Sequence, residues 1–293
     1  MAQLIARLIA AQSVWAKPFG DRVQGLVHRA FHAIPAIRDL LNGRWLGHPL
    51  HAAMTDLPIG ILGLAVVLDL LGDNFGAAIA VGLALLGLLG AALAGLADYA
   101  DTDGTARTTA TVHGTIMVLS TVLVAAAFVA RDFFSGDAPG ALGMTLEVIA
   151  LGLILAGAFV GGDVVYALGN MVDRHAFRGG GSKWIALEPA ELDAGGSIPE
   201  GRPVKAKLGI NALVLVREGD RVLALHDQCA HAGGPLSGGT LVDGCLECPL
   251  HGSRFRVADG RVVRGPSVYD QPVYEVRRTE AGGWEGRRAG QQS

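Results

Sequence analysis

Four long apolar runs fill the N-terminal half of the chain, at about residues 57–72, 75–97, 112–130 and 141–162. A helix that crosses a bilayer needs roughly 17–25 predominantly apolar residues, and the last three runs meet that length. The first is shorter, so it has to take in residues 54–58 and hold Asp69 near its far end. The pattern predicts a four-helix transmembrane domain over residues 48–170. From residue 183 the period changes to short β-prone runs at 212–216, 222–225, 240–242, 253–257, 261–263 and 273–277. Turn signals at Glu218-Gly219-Asp220, Asp243-Gly244 and Asp259-Gly260 separate them, which predicts antiparallel hairpins in a small all-β domain. Residues 1–47 read as one or two amphipathic helices at the membrane surface. Residues 171–182 read as a linker made flexible by Gly-Gly-Gly-Ser at 179–182, and residues 280–293 as a tail. The expected fold is multi-domain: an all-α transmembrane bundle followed by an all-β domain over 183–279.

Charge sharpens that division. Residues 48–170 carry 12 charged side chains, 2 of them basic, whereas residues 171–293 carry 31. The whole chain has a net charge of −3, so it offers no basic footprint and no nucleic-acid partner is expected. Residues 1–16 show no signal-peptide cleavage site. Basic residues near the span ends set the orientation. Arg7, Lys17, Arg22, Arg29, Arg38 and Arg44 precede the first span, Arg107 follows the second, and Arg174, Arg178 and Lys183 follow the fourth. The other side has Arg131. This predicts a multi-pass protein of the bacterial inner membrane with both termini and the β domain in the cytoplasm. Gly87, Ala91 and Gly95, and Gly157 with Gly161, mark ridges where helices pack closely.

Ionisable groups inside a membrane are expensive and need partners or a purpose. His48, His51, Asp56, Asp98, Asp101, His113 and Asp163 all fall at the expected cytoplasmic ends of spans, whereas Asp69, Asp73 and Glu147 lie toward the other side. His51 and His113 open the first and third spans and can ligate a haem b iron axially or bind a metal or a quinone. The plainer readings are a polar network that pins the helix ends, and a proton path. His28 and His32, one turn apart in the N-terminal segment, read as a solvated helix face because no third ligand stands out.

The run Trp45-Leu46-Gly47-His48-Pro49-Leu50-His51, followed by Asp56-Leu57-Pro58-Ile59-Gly60, resembles a bacterial four-helix membrane family of unknown function, the domain-of-unknown-function 2231 family. Asp98, Asp101 and His113 match its later features, while Ala52 stands where a second proline is common. The resemblance implies the four-span topology over about residues 45–165 and no established chemistry.

The β domain holds two of the three cysteines in a distinct pattern: Cys229-Ala230-His231 and, sixteen residues on, Cys248-Pro249-Leu250-His251. Two thiolates and two imidazoles can hold tetrahedral zinc, but zinc fingers pair Cys with Cys and His with His across short gaps. One Cys and one His from each loop suits a [2Fe–2S] cluster with both cysteines on one iron and both histidines on the other. The segment is similar to a Rieske domain over about residues 183–278. Gly233-Gly234-Pro235-Leu236-Ser237 after the first loop and Gly252-Ser253-Arg254-Phe255 after the second carry the likeness further. The resemblance implies Cys229, His231, Cys248 and His251 as ligands, with Ser253 and Phe255 around the cluster. Respiratory Rieske proteins add a disulfide between the loops, and here those positions are Gly234 and Leu250, consistent with a reducing cytoplasm. Phe255 replaces a Tyr whose hydroxyl donates toward the cluster in the high-potential branch, which implies a potential in the lower part of the Rieske range. Reduction raises the basicity of the His ligands, so the potential is expected to fall at alkaline pH. Cys245 is left over as a small, semi-buried strand residue.

The expected function is a membrane-anchored one-electron carrier serving electron donor and acceptor proteins, or a quinone, not identified by the sequence. An oxygenase of its own is not expected, because a mononuclear iron needs two His and a carboxylate and no histidine follows His251. The alternatives are a membrane oxidoreductase module whose bundle binds haem or quinone through His51 and His113, and a non-enzymatic redox sensor.

Overall fold

The computed structural model describes residues 2–131, 140–177 and 181–290, with the side chains of residues 7 onward. The expected glycine junction at 179–182 lies partly outside them. The chain forms two compact units, Met1–Gly43 with Pro49–Asn170, and Arg44–His48 with Met171–Ser293.

The first unit is helical. Three helices precede the spans, α1 (Ala2–Ala11), α2 (Ser13–Ala33) and α3 (Pro35–Asn42), where the sequence suggested one or two. The reason is local: Pro35 has no N–H to give and restarts the helix at its first position, and Gly43, at φ 84°, ends it in the left-handed conformation. Four helices follow that are long and apolar enough to cross a membrane: α4 (Leu50–Leu70), α5 (Asn74–Tyr99), α6 (Gly104–Ala130) and α7 (Ala141–Gly162), the last prolonged by a π-helical turn at Asp163–Ala167. Asp73 caps α5 by accepting from the Gly76 N–H at 3.0 Å.

Two of these helices begin well before their apolar runs, at Leu50 and Gly104. Polar residues are tolerated there because their side chains bond to helix backbone. Thr108 and Thr111 donate to carbonyls one turn back, Gly104 O at 3.3 Å and Arg107 O at 2.8 Å. The core between the spans is built from Leu62, Ala65, Val81, Ala84, Leu88, Val124, Ala150 and Ile154. Leu64, Leu86, Leu93, Val118, Val122 and Leu155 point outward and are exposed, the inside-out pattern that lipid requires. The glycine ridges act as seats. A Cβ at Gly87 would meet Pro58 at 3.2 Å, and one at Gly157 would meet Met117 at 2.6 Å. At one end of the bundle the buried Arg131 lies between two acids, with Nε 2.8 Å from Glu147 and Nη1 3.0 Å from Asp69.

The second unit contains ten short strands: β1 (Ile185–Pro189), β2 (Val204–Leu208), β3 (Asn211–Glu218), β4 (Arg221–His226), β5 (Thr240–Val242), β6 (Cys245–Glu247), β7 (Arg254–Arg256), β8 (Val262–Arg264), β9 (Val273–Arg278) and β10 (Trp284–Arg288). Six close an antiparallel barrel in the order β1-β10-β9-β4-β3-β2, and β5 to β8 form a four-stranded meander beside it. Asp243 and Gly244, both at positive φ, make the expected two-residue turn from β5 to β6. Cys245 opens β6, half-buried, in the setting its sequence context suggested.

The tail assignment for residues 280–293 is corrected by β10, which lies between β1 and β9 and closes the barrel. Its Trp-Glu-Gly-Arg-Arg sequence shows no apolar alternation because its outward residues pair as ions across the ladder. Glu285 stands opposite Arg277 and Arg287 opposite Glu275, with contacts of 2.9 Å and 2.7 Å. Gly286 faces inward where a Cβ would press on Leu208 at 3.1 Å. Ending the chain after Thr279 is therefore expected to open the barrel. Limited proteolysis of the purified protein checks this: the truncated chain should lose its 183–279 region under conditions that leave the full chain intact, and equal resistance would refute it.

Candidate metal centre

Two loops built the same way carry the candidate ligands. In the first, the Cys229 N–H donates to Gly234 O at 2.8 Å and the Gly233 N–H to Cys229 O at 2.9 Å. In the second, the Cys248 N–H donates to Ser253 O at 2.8 Å and the Gly252 N–H to Cys248 O at 3.0 Å. Gly233 and Gly252 have φ of 80° and 73°, a left-handed conformation that disfavours any residue with a Cβ. Each loop thereby curls its backbone N–H groups around its own sulfur: those of His231 and Ala232 around Cys229, and those of Leu250 and His251 around Cys248.

The four side chains converge. The rings of His231 and His251 lie 5.0 Å apart, centre to centre, at 89°. Cys229, Cys248 and His231 are buried and His251 half-buried. The two thiols are within hydrogen-bonding reach, which with burial raises Cys229 well above the usual thiol range; the same contact and the surrounding amides lower Cys248 to about 7. The lowered Cys248 favours thiolate near neutral pH, as a metal ligand requires. The loops approach closely enough that a Cβ on Gly234 would lie 2.8 Å from Leu250 and 3.0 Å from the Cys248 sulfur. The two positions where the respiratory pattern implies a disulfide thus face each other, with the Leu250 side chain over the glycine. Behind the sulfurs lies an apolar wall of Val214, Val216, Leu225, Leu236, Leu246, Phe255 and Val257. Ser253 is fully buried and its Oγ accepts from the Ser267 N–H at 3.0 Å. The donor set, its shared geometry and the amide-lined sulfurs fit an iron–sulfur cluster.

Several supporting residues gave no sequence signal. Gln271 is buried behind the first loop, donating to His226 O at 2.7 Å and Gln228 O at 2.6 Å and accepting from the Ala230 N–H at 3.0 Å. Residues 171–177, expected as linker, pack on the same loop. His175 donates to Gln228 O at 2.9 Å with its ring 4.7 Å from that of His226, and Arg174 donates to His231 O at 3.2 Å. The buried side chains of Met171 and His175 explain the order that composition alone did not suggest.

The expected second set divides. His51 and His113 come together, ring centres 6.1 Å apart. Asp98 and Asp101 belong instead to a buried polar cluster. Asn42 donates to Asp98 at 2.8 Å, and Asp101 lies 3.7 Å from Arg38. The solvated reading of His28 and His32 is overturned here: they lie 3.6 Å and 3.8 Å from Asp101. Burial pushes Asp101 up to about 6 against the lowering effect of Arg38 and His28. His48 falls in the turn before α4, within the Arg44–His48 stretch that groups with the second unit.

Paired Cys/His loops around a small antiparallel sheet set beside a barrel are the build of a small iron–sulfur electron-transfer domain. Comparison with known proteins agrees. Residues 189–275 match the family described as "Rieske [2Fe-2S] domain", and residues 47–174 that described as "Predicted membrane protein (DUF2231)". The anthranilate 1,2-dioxygenase ferredoxin subunit of Burkholderia cepacia is 35% identical over 78 residues, 27% of this chain and 72% of that one. The ferredoxin component of the naphthalene 1,2-dioxygenase/salicylate 5-hydroxylase systems of Ralstonia sp is 33% identical over 94 residues, 32% of this chain and 86% of that one. Among solved structures, the ferredoxin of carbazole 1,9a-dioxygenase from Nocardioides aromaticivorans is 28% identical, covering 35% of this chain and 97% of that one at a TM-score of 0.30. By its C-terminal domain this chain belongs to the Rieske [2Fe–2S] family.

Gln271 gives a test of the loop architecture. Gln271→Leu keeps the volume but strands the Ala230 N–H and the His226 carbonyl, each at about 1–3 kcal/mol if left unsatisfied, while Gln228 O keeps its bond from His175. Thermal unfolding followed at the β domain should show a midpoint several degrees lower, and an unchanged midpoint would mean Gln271 does not hold the loop.

Proposed function

We propose that the protein is a membrane-anchored one-electron carrier in which Cys229, His231, Cys248 and His251 hold a [2Fe–2S] cluster on the cytoplasmic side of the bacterial inner membrane. The observation that carries this reading is the pair of matched loops, one after β4 and one between β6 and β7, each presenting one amide-wrapped sulfur and one imidazole. When bound, such a cluster supplies a site that gains and loses one electron.

The chain's own residues then set how that site behaves. The N–H groups of His231, Ala232, Leu250 and His251 aim positive dipoles at the sulfurs and favour added negative charge. Phe255 contributes no hydroxyl, so one hydrogen bond expected in the high-potential branch is missing, while the Ser253 hydroxyl keeps its own proton free to donate. The exposed Leu250, beside His251, offers an apolar contact for a redox partner. Donor and acceptor are separate proteins, as the ferredoxin resemblance implies, with a quinone as the alternative. Support for the cytoplasmic side comes from the basic residues around the first, second and fourth span ends. Arg131, the basic residue of the described chain on the other side, is neutralised by Asp69 and Glu147.

Reduced membranes should give a rhombic electron paramagnetic resonance signal that disappears in Cys248→Ser. Its midpoint should fall in the lower half of the roughly −150 to +300 mV Rieske range, and a value near the top would overturn the low-potential assignment. Protease added to inverted vesicles should remove the β domain and spare it in right-side-out spheroplasts. The opposite result reverses the orientation.

A second reading is favoured by the meeting of His51 and His113: the bundle is itself a redox module with a cofactor or quinone site.

A further inference from the structure

The imidazoles of His51 and His113 come from the first and third spans and face one another at 6.1 Å between ring centres, their planes at 75°. Each is held in the same way. His51 Nδ1 donates to the Ala91 carbonyl at 2.8 Å, and His113 Nδ1 donates to the Gly157 carbonyl at 2.7 Å. One turn beyond each acceptor stands a glycine, Gly95 and Gly161, where a Cβ would lie 2.9 Å from the ring's Cε1. Carbonyl acceptor, glycine seat and imidazole thus recur on both helix pairs, α4 with α5 and α6 with α7.

This arrangement fixes the tautomer. A carbonyl only accepts, so the proton sits on Nδ1 in both rings, and a neutral imidazole so protonated keeps its lone pair on Nε2. Histidines that ligate metals almost always give their other N–H to a carbonyl or carboxylate in this manner. The spacing is also right. Half of 6.1 Å is about 3 Å, close to the distance between a ring centre and a metal bound through Nε2 at about 2.0–2.1 Å, so the two rings stand far enough apart to share one metal.

The number of donors selects the metal's chemistry. Among the described residues of the helical unit, the clustered donors are His28, His32 and Asp101, and no third His, Cys, Asp or Glu is grouped with His51 and His113. A four-coordinate zinc site is thereby short of ligands. An iron whose equatorial positions are filled by a porphyrin needs only two axial imidazoles. A quinone carbonyl needs a donor, whereas two bare Nε2 lone pairs offer acceptors and would meet only a quinol hydroxyl.

We propose that His51 and His113 are the axial ligands of a b-type haem within the helical unit. The proposal rests on the reading of the bundle as a redox module and names its cofactor. The chain would then carry two one-electron centres, one in each unit.

The test uses the full-length protein purified from haem-sufficient membranes, with the paramagnetic signal of the β domain and a single symmetric elution peak as checks of folding. The expected result is a Soret band and a pyridine haemochrome at about one haem per chain, falling at least about tenfold in His51→Ala and in His113→Ala. His113→Met should retain haem with a displaced band, a readout that a purely structural histidine would not move. A folded wild type with no Soret band, or with zinc or copper in its place, overturns the haem assignment. If that protein instead retains extractable quinol that both alanine variants lose, the redox-module reading survives with a different ligand. If neither haem nor quinol is retained, both fail.

Discussion

A polar group taken out of water has to find its partner inside the protein, and both units are arranged around that cost. In the helical unit the lipid hydrocarbon offers no hydrogen-bond partner to an imidazole or a guanidinium. His51, His113 and Arg131 therefore turn inward to carbonyls or carboxylates supplied by a neighbouring helix. The glycines make this geometrically possible. With any Cβ at Gly95 or Gly161 the rings would be pushed off their carbonyl partners, so the small residues serve side-chain placement as much as the close approach of backbones.

In the β unit the same cost is met by the backbone. Each ligand loop is closed by hydrogen bonds on its cysteine's own N–H and C=O, leaving the following amides with no strand to pair with. Sulfur is their acceptor, and a thiolate or cluster sulfur is a better one than a neutral thiol. Gln271, His175 and Arg174 then take up Gln228 O, His226 O, Ala230 N and His231 O, which the loop cannot satisfy internally. The rigidity of the site follows from this complete pairing, and rigidity keeps reorganisation small when charge changes.

The fold was largely legible where the sequence signal is local. Apolar runs gave the spans, turn residues gave the hairpins, and the Cys-x-His and Cys-x-x-His spacing gave the candidate ligands. Elements stabilised by distant partners escaped notice. β10 is held by charges opposite Arg277 and Glu275 rather than by its own alternation, and β2 alternates Val204, Ala206 and Leu208 against two lysines over too few residues to stand out. Gln271 and His175 act on backbone atoms some 40 to 50 residues away, and no spacing rule links them. The pairing of His28 and His32 with Asp101 was hidden for the same reason, since α2 meets the end of α5 only in three dimensions.

The polar clusters of the helical unit are not equivalent as binding sites, and hydrogen-bond roles separate them. At Asp101, His28 spends its Nδ1 proton on the Ala100 carbonyl at 3.1 Å, His32 Nε2 accepts from Arg38 at 2.8 Å, and the Arg38 guanidinium supplies the positive charge that the buried carboxylate needs. A cation entering there would have to displace an arginine, so the cluster reads as a lock between α2, α3 and the end of α5. At Arg131 the positive charge is likewise already supplied, to Asp69 and Glu147. The histidine pair differs because its protons are committed to carbonyls while its lone pairs are not, and it carries no resident charge of either sign. Neutral donors without a competing cation would suit an iron whose charge is balanced by a porphyrin dianion, because an unbalanced ion is costly in a medium of low dielectric. The two sets of paired imidazoles, His51 with His113 and His231 with His251, thus have in common that each brings two rings from separate segments to within about one metal's span, 6.1 Å and 5.0 Å between ring centres.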